Sequence, residues 1–594
     1  MYYASPLRPI PTGRAVLERF GGYDHRPVIP AGCWYDMENL SGDQLPLLSV
    51  RKARGVVEQL HEPRAIQHEG RLIYLDGDRL YYGGAELTPY FTAKGLHIGK
   101  DARPRQLLSL GALLLVFPDR LYLSLERFED CGSLENRWVS TGPVRYTLAK
   151  SDGTDCAEPV VSPTAPGSPA DGALWVDSGQ VTHVLRQYSA QEQCWTELPS
   201  PCTRISSPGI GAGFRALDGV ELRGCAAPES PEIDENLRRL MGLKCLVAAG
   251  EDSIIVPGLL DAAYTQTSGT VTVSRTVPDM DYLTQCGNRL WGCRYGLKAG
   301  KPVNELYACA LGDPKNWHRY AGLSTDSYAA SLGSDGPFTG AVTYGDSPLF
   351  FKENCLHKVY VSPVGAHRIV ESQCPGVEPG SAGSLCTVGG RLLYKAREGL
   401  MCYDGAVSRP VSPQLGDLRY HGASAGVMGS KYYVSMKDSE EKPHLFCLDT
   451  EKDTLFREDG TDALGFCSCG SALYFIDRRT KQLVCVDGKQ GEPEPAPHWR
   501  CVSGPLMGRT PDRAYVSRFH LRLHMPTGSR VEVLLQYDDE EIWHSAGHLD
   551  SPCTRTVQFP VRPRRCEYFR LQLRGRGNVR LHSLCFTHER GSDR

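Results

Sequence analysis

The chain contains no CxxC pair, no HExxH and no phosphate-binding loop. The usual signatures of zinc and redox cysteines, zinc proteases and nucleoside triphosphatases are therefore missing. It also lacks an excess of either charge: 66 basic against 69 acidic residues leave a formal net charge of -3. No global field draws in nucleic acid or an anionic membrane, so partners must be recognised locally. Apolar runs such as Leu107 to Phe117 are too short to cross a bilayer, and the opening MYYASPLRPIPTGR lacks the apolar stretch of a signal peptide. The expectation is a protein made and kept in the cytoplasm, with no membrane span, cofactor or metal.

Cysteine is present but not in spaced sets: 22 residues are scattered singly along the chain. Free, mostly buried thiols are expected. The nearest thing to a pair, Cys467-Ser468-Cys469, lies in a strand-like segment where alternate side chains share a face, and a zinc site would need a second pair nearby.

What is present is a recurring unit. A turn with Gly leads into a strand ending in aromatics, and a second turn with Asp or Gly leads into another strand. Copies start at His68, Leu107, Cys286, Gly340, Cys386, Gly426 and Cys467, the last four about 40 residues apart. That spacing fits a four-stranded propeller blade, in which each small sheet buries its faces against its neighbours. A meandering array of β-sandwiches is the competing arrangement.

Between the second and third copies the Pro, Ser and Gly-rich stretch VVSPTAPGSPADGA leads into different material. Short strands are expected there, with one helix opened by Ser230-Pro231-Glu232 and running through Met241, and the segment closing near Val277. After Asp487 a proline-rich linker precedes strands of clear period-two alternation. The predicted fold is all-β: a β-propeller of about seven blades, a small inserted β-rich domain and a C-terminal β-sandwich. Its parts are an N-terminal arm (1–14), the first part of the propeller (15–165), the insertion (166–277), the remaining blades (278–490) and the sandwich (491–594).

Candidate chemistry is sparse, and no catalytic residues are legible; the chain reads as a non-enzyme. Gly209 to Phe214, GIGAGF, misses the third glycine of a dinucleotide loop and has no βαβ unit after it. Asp279 and Asp281 are two acids that could ligate calcium but more often are solvated loop residues. His520 and His524 sit on an alternating strand, roughly 13 Å apart, too far to share an ion. Ser334-Asp335-Gly336-Pro337-Phe338 looks like a sialidase hairpin turn without its tryptophan. The stronger signal is arginine: residues 501–594 hold fifteen Arg, no Lys and ten acidic side chains. Arg562, Arg564, Arg565, Arg574, Arg576 and Arg580 could form one basic face for a protein, phosphate or DNA contact, or a solvated sheet face.

The run from Arg19 to Gly55 resembles the opening of large propeller proteins encoded in prophages and tailed phages. Phe20-Gly21-Gly22, Met37-Glu38-Asn39-Leu40 and Leu45-Pro46-Leu47-Leu48, followed by Arg51 and Arg54, carry the likeness. NRLWGC at Asn288, LGDPKNW at Leu311, SDGPFTG at Ser334 and FFKE at Phe350 extend it. The resemblance implies a non-catalytic virion component of the tail or neck, nozzle-like, assembled in the bacterial cytoplasm. Its implied partners are other copies of itself in a ring, other tail or neck proteins and the DNA passing through. It also implies that a strand held by Asn39 and Pro46 pairs with the last blade. Two alternatives stand beside it: a carbohydrate-binding or glycoside-cleaving propeller, in which aromatics and paired carboxylates converge at one mouth, and a host protein-interaction scaffold.

Overall fold

The computed structural model describes residues 12–101, 103–507, 513–562 and 564–590. Strands account for 51% of residues and helix for 4%, so the fold is all-β and built from many small sheets. Two compact units divide the chain: residues 1–87, 351–356 and 372–594 form one, and 88–350 with 357–371 the other.

The first unit holds four small sheets that match four of the sequence repeats. One contains Pro63–Glu69, Arg71–Asp76, Arg79–Tyr82 and Ala85–Glu86; another Cys386–Val388, Arg391–Ala396, Gly399–Tyr403 and Ser408–Pro410. A third contains Tyr420–Met428, Lys431–Asp438, Pro443–Asp449 and Thr454–Asp459. In each, consecutive strands pair antiparallel in a simple meander. The recurring glycine is explained by its backbone. Gly70, Gly429 and Gly470 turn between the first two strands of their repeats at φ of 65°, 63° and 61°, a left-handed conformation that a side chain disfavours.

The last repeat gives three strands, Ala463–Cys469, Ala472–Asp477 and Gln482–Cys485, and its fourth comes from far upstream. Gly55–Gln59 pairs antiparallel with Gln482–Cys485, and Glu492–Pro493 pairs with its other edge. A strand from near the N-terminus does join the last small sheet. It begins after the Asn39 and Pro46 segment, not within it.

The segments around Asn39 and Pro46 belong instead to two larger sheets in the C-terminal part. In one sheet Leu40–Ser41, Leu48–Val50, Arg580–Arg590, Ala514–His524 and Thr556–Phe559 run in that order, with Thr12–Leu17 added against Arg580–Arg590. The other runs Trp34–Glu38, His498–Ser503, Tyr568–Arg576, Arg530–Tyr537 and His544–Leu549. Alternate residues Phe519, Leu521 and Leu523 of the first sheet and Val531, Val533 and Leu535 of the second belong to one buried core, which extends to Phe446 and Phe456 of a small sheet. The predicted boundaries shift accordingly. Residues 12–14 of the arm open a paired strand, while 1–11 lie outside the described residues. Residues 15–50 belong with the C-terminal sheets because their apolar side chains, Met37 and Leu40 among them, are needed to complete that core.

The second unit contains two further repeat sheets, one spanning Gln106–Leu110 to Cys131–Ser133 and one spanning Tyr282–Cys286 to Tyr328–Ser331. The repeat from Gly340, with strands Phe338–Tyr344, Ser347–Lys352, Cys355–Tyr360 and Arg368–Gln373, falls where the division between units passes. Between Asn136 and Arg275 lie three sheets of a different order. Asn136–Val139 pairs with Thr272–Arg275, and Val144–Ala149 pairs with Cys202–Ser206 and Tyr264–Gln266. The non-repeating region therefore starts near Asn136 and not at 166, since these early strands have their hydrogen-bond partners inside it. Pro231–Leu240 is the longest helix described; its Ser230 N-cap makes no side-chain capping bond, and the Ser230 carbonyl accepts from Asp234 N at 2.8 Å.

Candidate functional site

The six arginines do not share one face. Arg565 and Arg580 lie on strands of the first large sheet, Arg574 and Arg576 on a strand of the second. Arg564 is spoken for by Glu540, with its guanidinium 5.7 Å from the Tyr537 ring centre, and Arg562 is exposed. The predicted surface breaks up because successive strands of a sandwich alternate between sheets, which sequence proximity does not report. What remains is a cleft of about 480 Å³ where Arg574 and Arg576 meet Arg500, Arg530 and His498, residues not singled out from the sequence.

The residues of the N-terminal phrase are structural. Phe20, Met37 and Leu40 are buried in the core. A side chain on Gly21 would meet Cys33 Sγ at 2.4 Å, and one on Gly22 the Leu455 carbonyl at 2.1 Å. Pro46 offers its carbonyl to Phe20 N at 3.0 Å. Asn39 donates to the His498 carbonyl at 2.7 Å, and Arg51 ion-pairs with Glu494 and, at 3.4 Å, Asp459. Arg54 pairs with Glu458 at 2.6 Å and Asp459 at 2.8 Å.

The other sequence candidates resolve into packing and ion pairs. Asp281 pairs with Arg294 at 2.7 Å and accepts Tyr295 N, and Asp279 pairs with Arg120. His520 and His524 lie along one strand. GIGAGF is a run of turns in which a side chain on Gly211 would strike the Gly250 carbonyl. Asp335 of the hairpin is exposed, and Ser334 Oγ lies 3.0 Å from His357 Nε2. Asn316 and Trp317 of LGDPKNW are buried, Asn316 bonding Asp218 and Asp313 at 2.8 Å each.

A concave site that gathers carboxylates with an aromatic was not legible beforehand. It is a cleft of about 530 Å³ lined by Glu378, Arg397, Glu398, Arg419, Tyr420, His421 and Ser439. Arg397 and Glu398 form the turn between Arg391–Ala396 and Gly399–Tyr403, and Ser439 the turn after Lys431–Asp438. The lining thus comes from hairpin tips at Arg397, Glu398 and Ser439, the start of the strand Tyr420–Met428 and the connection that carries Glu378. Lys395, 1% exposed, donates from Nζ to Glu378 Oε2 at 3.0 Å and to the Ala396 carbonyl at 2.6 Å. Burial lowers the Lys395 ammonium from its ordinary value, against the pull of Glu378. Tyr420 is held from behind by His444 and Phe446, edge-on at 5.6 and 5.3 Å. His421 lies 2.7 Å from Glu441.

Among the described residues no helix is long and apolar enough to cross a membrane. No family model and no curated protein matches the chain. Solved structures do. An exo-β-1,3-galactanase from Phanerochaete chrysosporium, in complex with galactose, is 8% identical over 51% of this chain and 94% of its own, with a TM-score of 0.21. A glycoside hydrolase is 9% identical over 51% and 96%, TM-score 0.19. The extracellular domain of a putative one-component system from B. thetaiotaomicron is 8% identical over 92% and 95%, TM-score 0.15. At such TM-scores the likeness carries no argument for an activity or substrate. Nothing phage-related stands among these neighbours, and the expectation of a virion tail or neck component is corrected by them. The physical reason is visible in the phrase that suggested it: Asn39, Arg51 and their neighbours form core and ion-pair contacts, which report a way of packing and not a task.

Proposed function

We propose that this protein binds carbohydrate, without cleaving it, at the cleft between Glu398 and Tyr420. One observation carries the reading: two carboxylates, two guanidiniums and an aromatic ring share a pocket of about 530 Å³. Planar carboxylate and guanidinium groups bond pairs of vicinal hydroxyls, and buried Tyr420 forms part of the wall that holds them. Glycoside cleavage needs one carboxyl poised as proton donor in an apolar setting. Glu378 is instead fixed as an acceptor by the Lys395 ammonium and by Ser381 Oγ at 3.4 Å, and Glu398 is exposed.

In the same reading the seven repeat sheets are blades of a propeller, with Gly55–Gln59 completing the last one, and the two larger sheets form a sandwich beside it. A propeller of this kind offers hairpin tips at its mouth as the natural place for a ligand.

A glycan array followed by calorimetry tests the proposal. Binding of a defined glycan, lost in the Glu378→Gln, Glu398→Gln double variant with an unchanged melting temperature, is the expected result. No binding to any glycan sinks it, and time-dependent release of reducing ends from a bound glycan overturns the non-catalytic part.

A further inference from the structure

The cleft on the second large sheet has a charge arrangement that the sheet itself does not balance. Across three adjacent strands the register places His498, Arg576 and Arg530 directly opposite one another, and one step further Glu38, Arg500, Arg574 and Glu532. Directly opposed residues of antiparallel strands project from the same face. The second row is closed by an acid at each end, Glu38 and Glu532; Glu532 pairs with Arg574 at 2.9 Å, and Asp36, two residues before Glu38, pairs with Arg500. The first row holds no acid. Arg576 is exposed and makes no side-chain hydrogen bond or ion pair among the described residues. Arg530 has only a loose contact with Asp550 at 3.6 Å, and Asp550 is shared with His548 at 3.3 Å.

Like charges placed directly opposite each other on a sheet are destabilising by themselves. Keeping Arg576 opposite Arg530 costs stability unless an anion lies between them. The strand carrying Arg576 reaches close to its neighbours through Gly575, where a side chain would strike the Arg530 carbonyl at 2.0 Å and the Trp499 ring at 2.7 Å.

We infer that His498, Arg530 and Arg576 form an oxyanion site that takes the sulfate or phosphate ester of an acidic polysaccharide. The choice of polysaccharide rests on the carbohydrate reading above; the oxyanion chemistry does not. Two guanidinium forks on adjacent strands match a tetrahedral oxyanion, and each is a charge-assisted donor set.

The test compares dextran sulfate with neutral dextran of the same length, by calorimetry at two salt concentrations, on the full chain. Inorganic sulfate and inorganic phosphate serve as competitors that tell the two esters apart. Expected is salt-sensitive binding of dextran sulfate only, weakened by about tenfold per arginine in Arg530→Ala and Arg576→Ala, and unchanged in Arg562→Ala. Arg530→Lys with Arg576→Lys keeps the charge and removes the forks. If that pair binds as the natural protein does, the binding is diffuse electrostatics and the site is refuted. Tighter binding of single-stranded DNA than of dextran sulfate overturns the polysaccharide assignment. Loss of neutral-glycan binding in the Glu378 and Glu398 variants, with dextran sulfate binding intact, separates a failure of the one site from a failure of the other.

Discussion

Arg51 donates from Nε to Asn39 Oδ1 at 2.7 Å, and the two side chains together tie three separate stretches of the first unit. Asn39 passes the connection to the His498 carbonyl, and Arg51 passes it to Glu494 and Asp459. Arg51 is 8% exposed and Asn39 7%.

Removing one member of a buried ionic network leaves the others desolvated and unpaired, typically at about 3–5 kcal/mol. Arg51→Ala should therefore lower the free energy of unfolding by about that amount in urea. Arg51→Lys keeps the charge but cannot bond Asn39 and Glu494 together from one planar fork, so its loss should be smaller but measurable. A loss below about 1 kcal/mol for the alanine variant would show that the network is not what holds this segment.

Asp459 sits between Arg51 and Arg54. Burial alone raises its carboxyl, but the two guanidiniums and the Thr461 hydroxyl outweigh burial and hold it below the ordinary carboxylate value. A group whose folded pKa is depressed contributes stability that is fully present above its unfolded value, about 3.9, and is lost as pH falls through the folded one. Melting temperature should be insensitive to this group above about pH 5 and should fall on the acid side. In Asp459→Asn that acid-side fall should be shallower. Parallel acid branches for the two proteins would contradict the assignment.

Burial also decides the thiols. It pushes Cys225 up to about 11 and Cys309, Cys386 and Cys467 up to about 12, whereas Cys194 is exposed. Since the thiolate is the reactive form, iodoacetamide at pH 8 should label Cys194 in the folded protein and reach the other four only after unfolding. Mass spectrometry of tryptic peptides reads this directly, and fast labelling of Cys309 would show that its surroundings open.

Much of the fold was legible because it is written in local chemistry. The turn glycines of the repeats announce left-handed residues such as Gly70 and Gly429, and alternation in YVSRFHLRLHM places Phe519 and Leu521 inward. Long-range pairing was not legible in the same way. Nothing in the local pattern of Gly55–Gln59 says that its partner lies at Gln482–Cys485, or that Trp34–Glu38 pairs with His498–Ser503. The candidate sites followed the same division. Arg574 and Arg576 were visible as neighbours two residues apart, but Arg500 and Arg530 join them only through cross-strand register, and the Glu378 cleft is assembled from the tips of separate hairpins, a strand start and a connection.

The strand Gly55–Gln59 offers the sharpest test of that long-range pairing. It is flanked by Gln482–Cys485 on one side and Glu492–Pro493 on the other, and its first residue lies so close to the returning chain that a side chain on Gly55 would meet the Gln490 carbonyl at 1.8 Å. Backbone cannot yield as the end of a flexible side chain can, so Gly55→Ala must push the strand or the 488–491 turn aside. Overpacking of this kind typically costs about 1–3 kcal/mol. The damage should be local first: amides of Gln482–Cys485 should exchange with deuterium faster in the variant, while those of Ala514–His524 in the larger sheet keep their protection. If exchange at Gln482–Cys485 is unchanged, the upstream strand does not complete that sheet in solution.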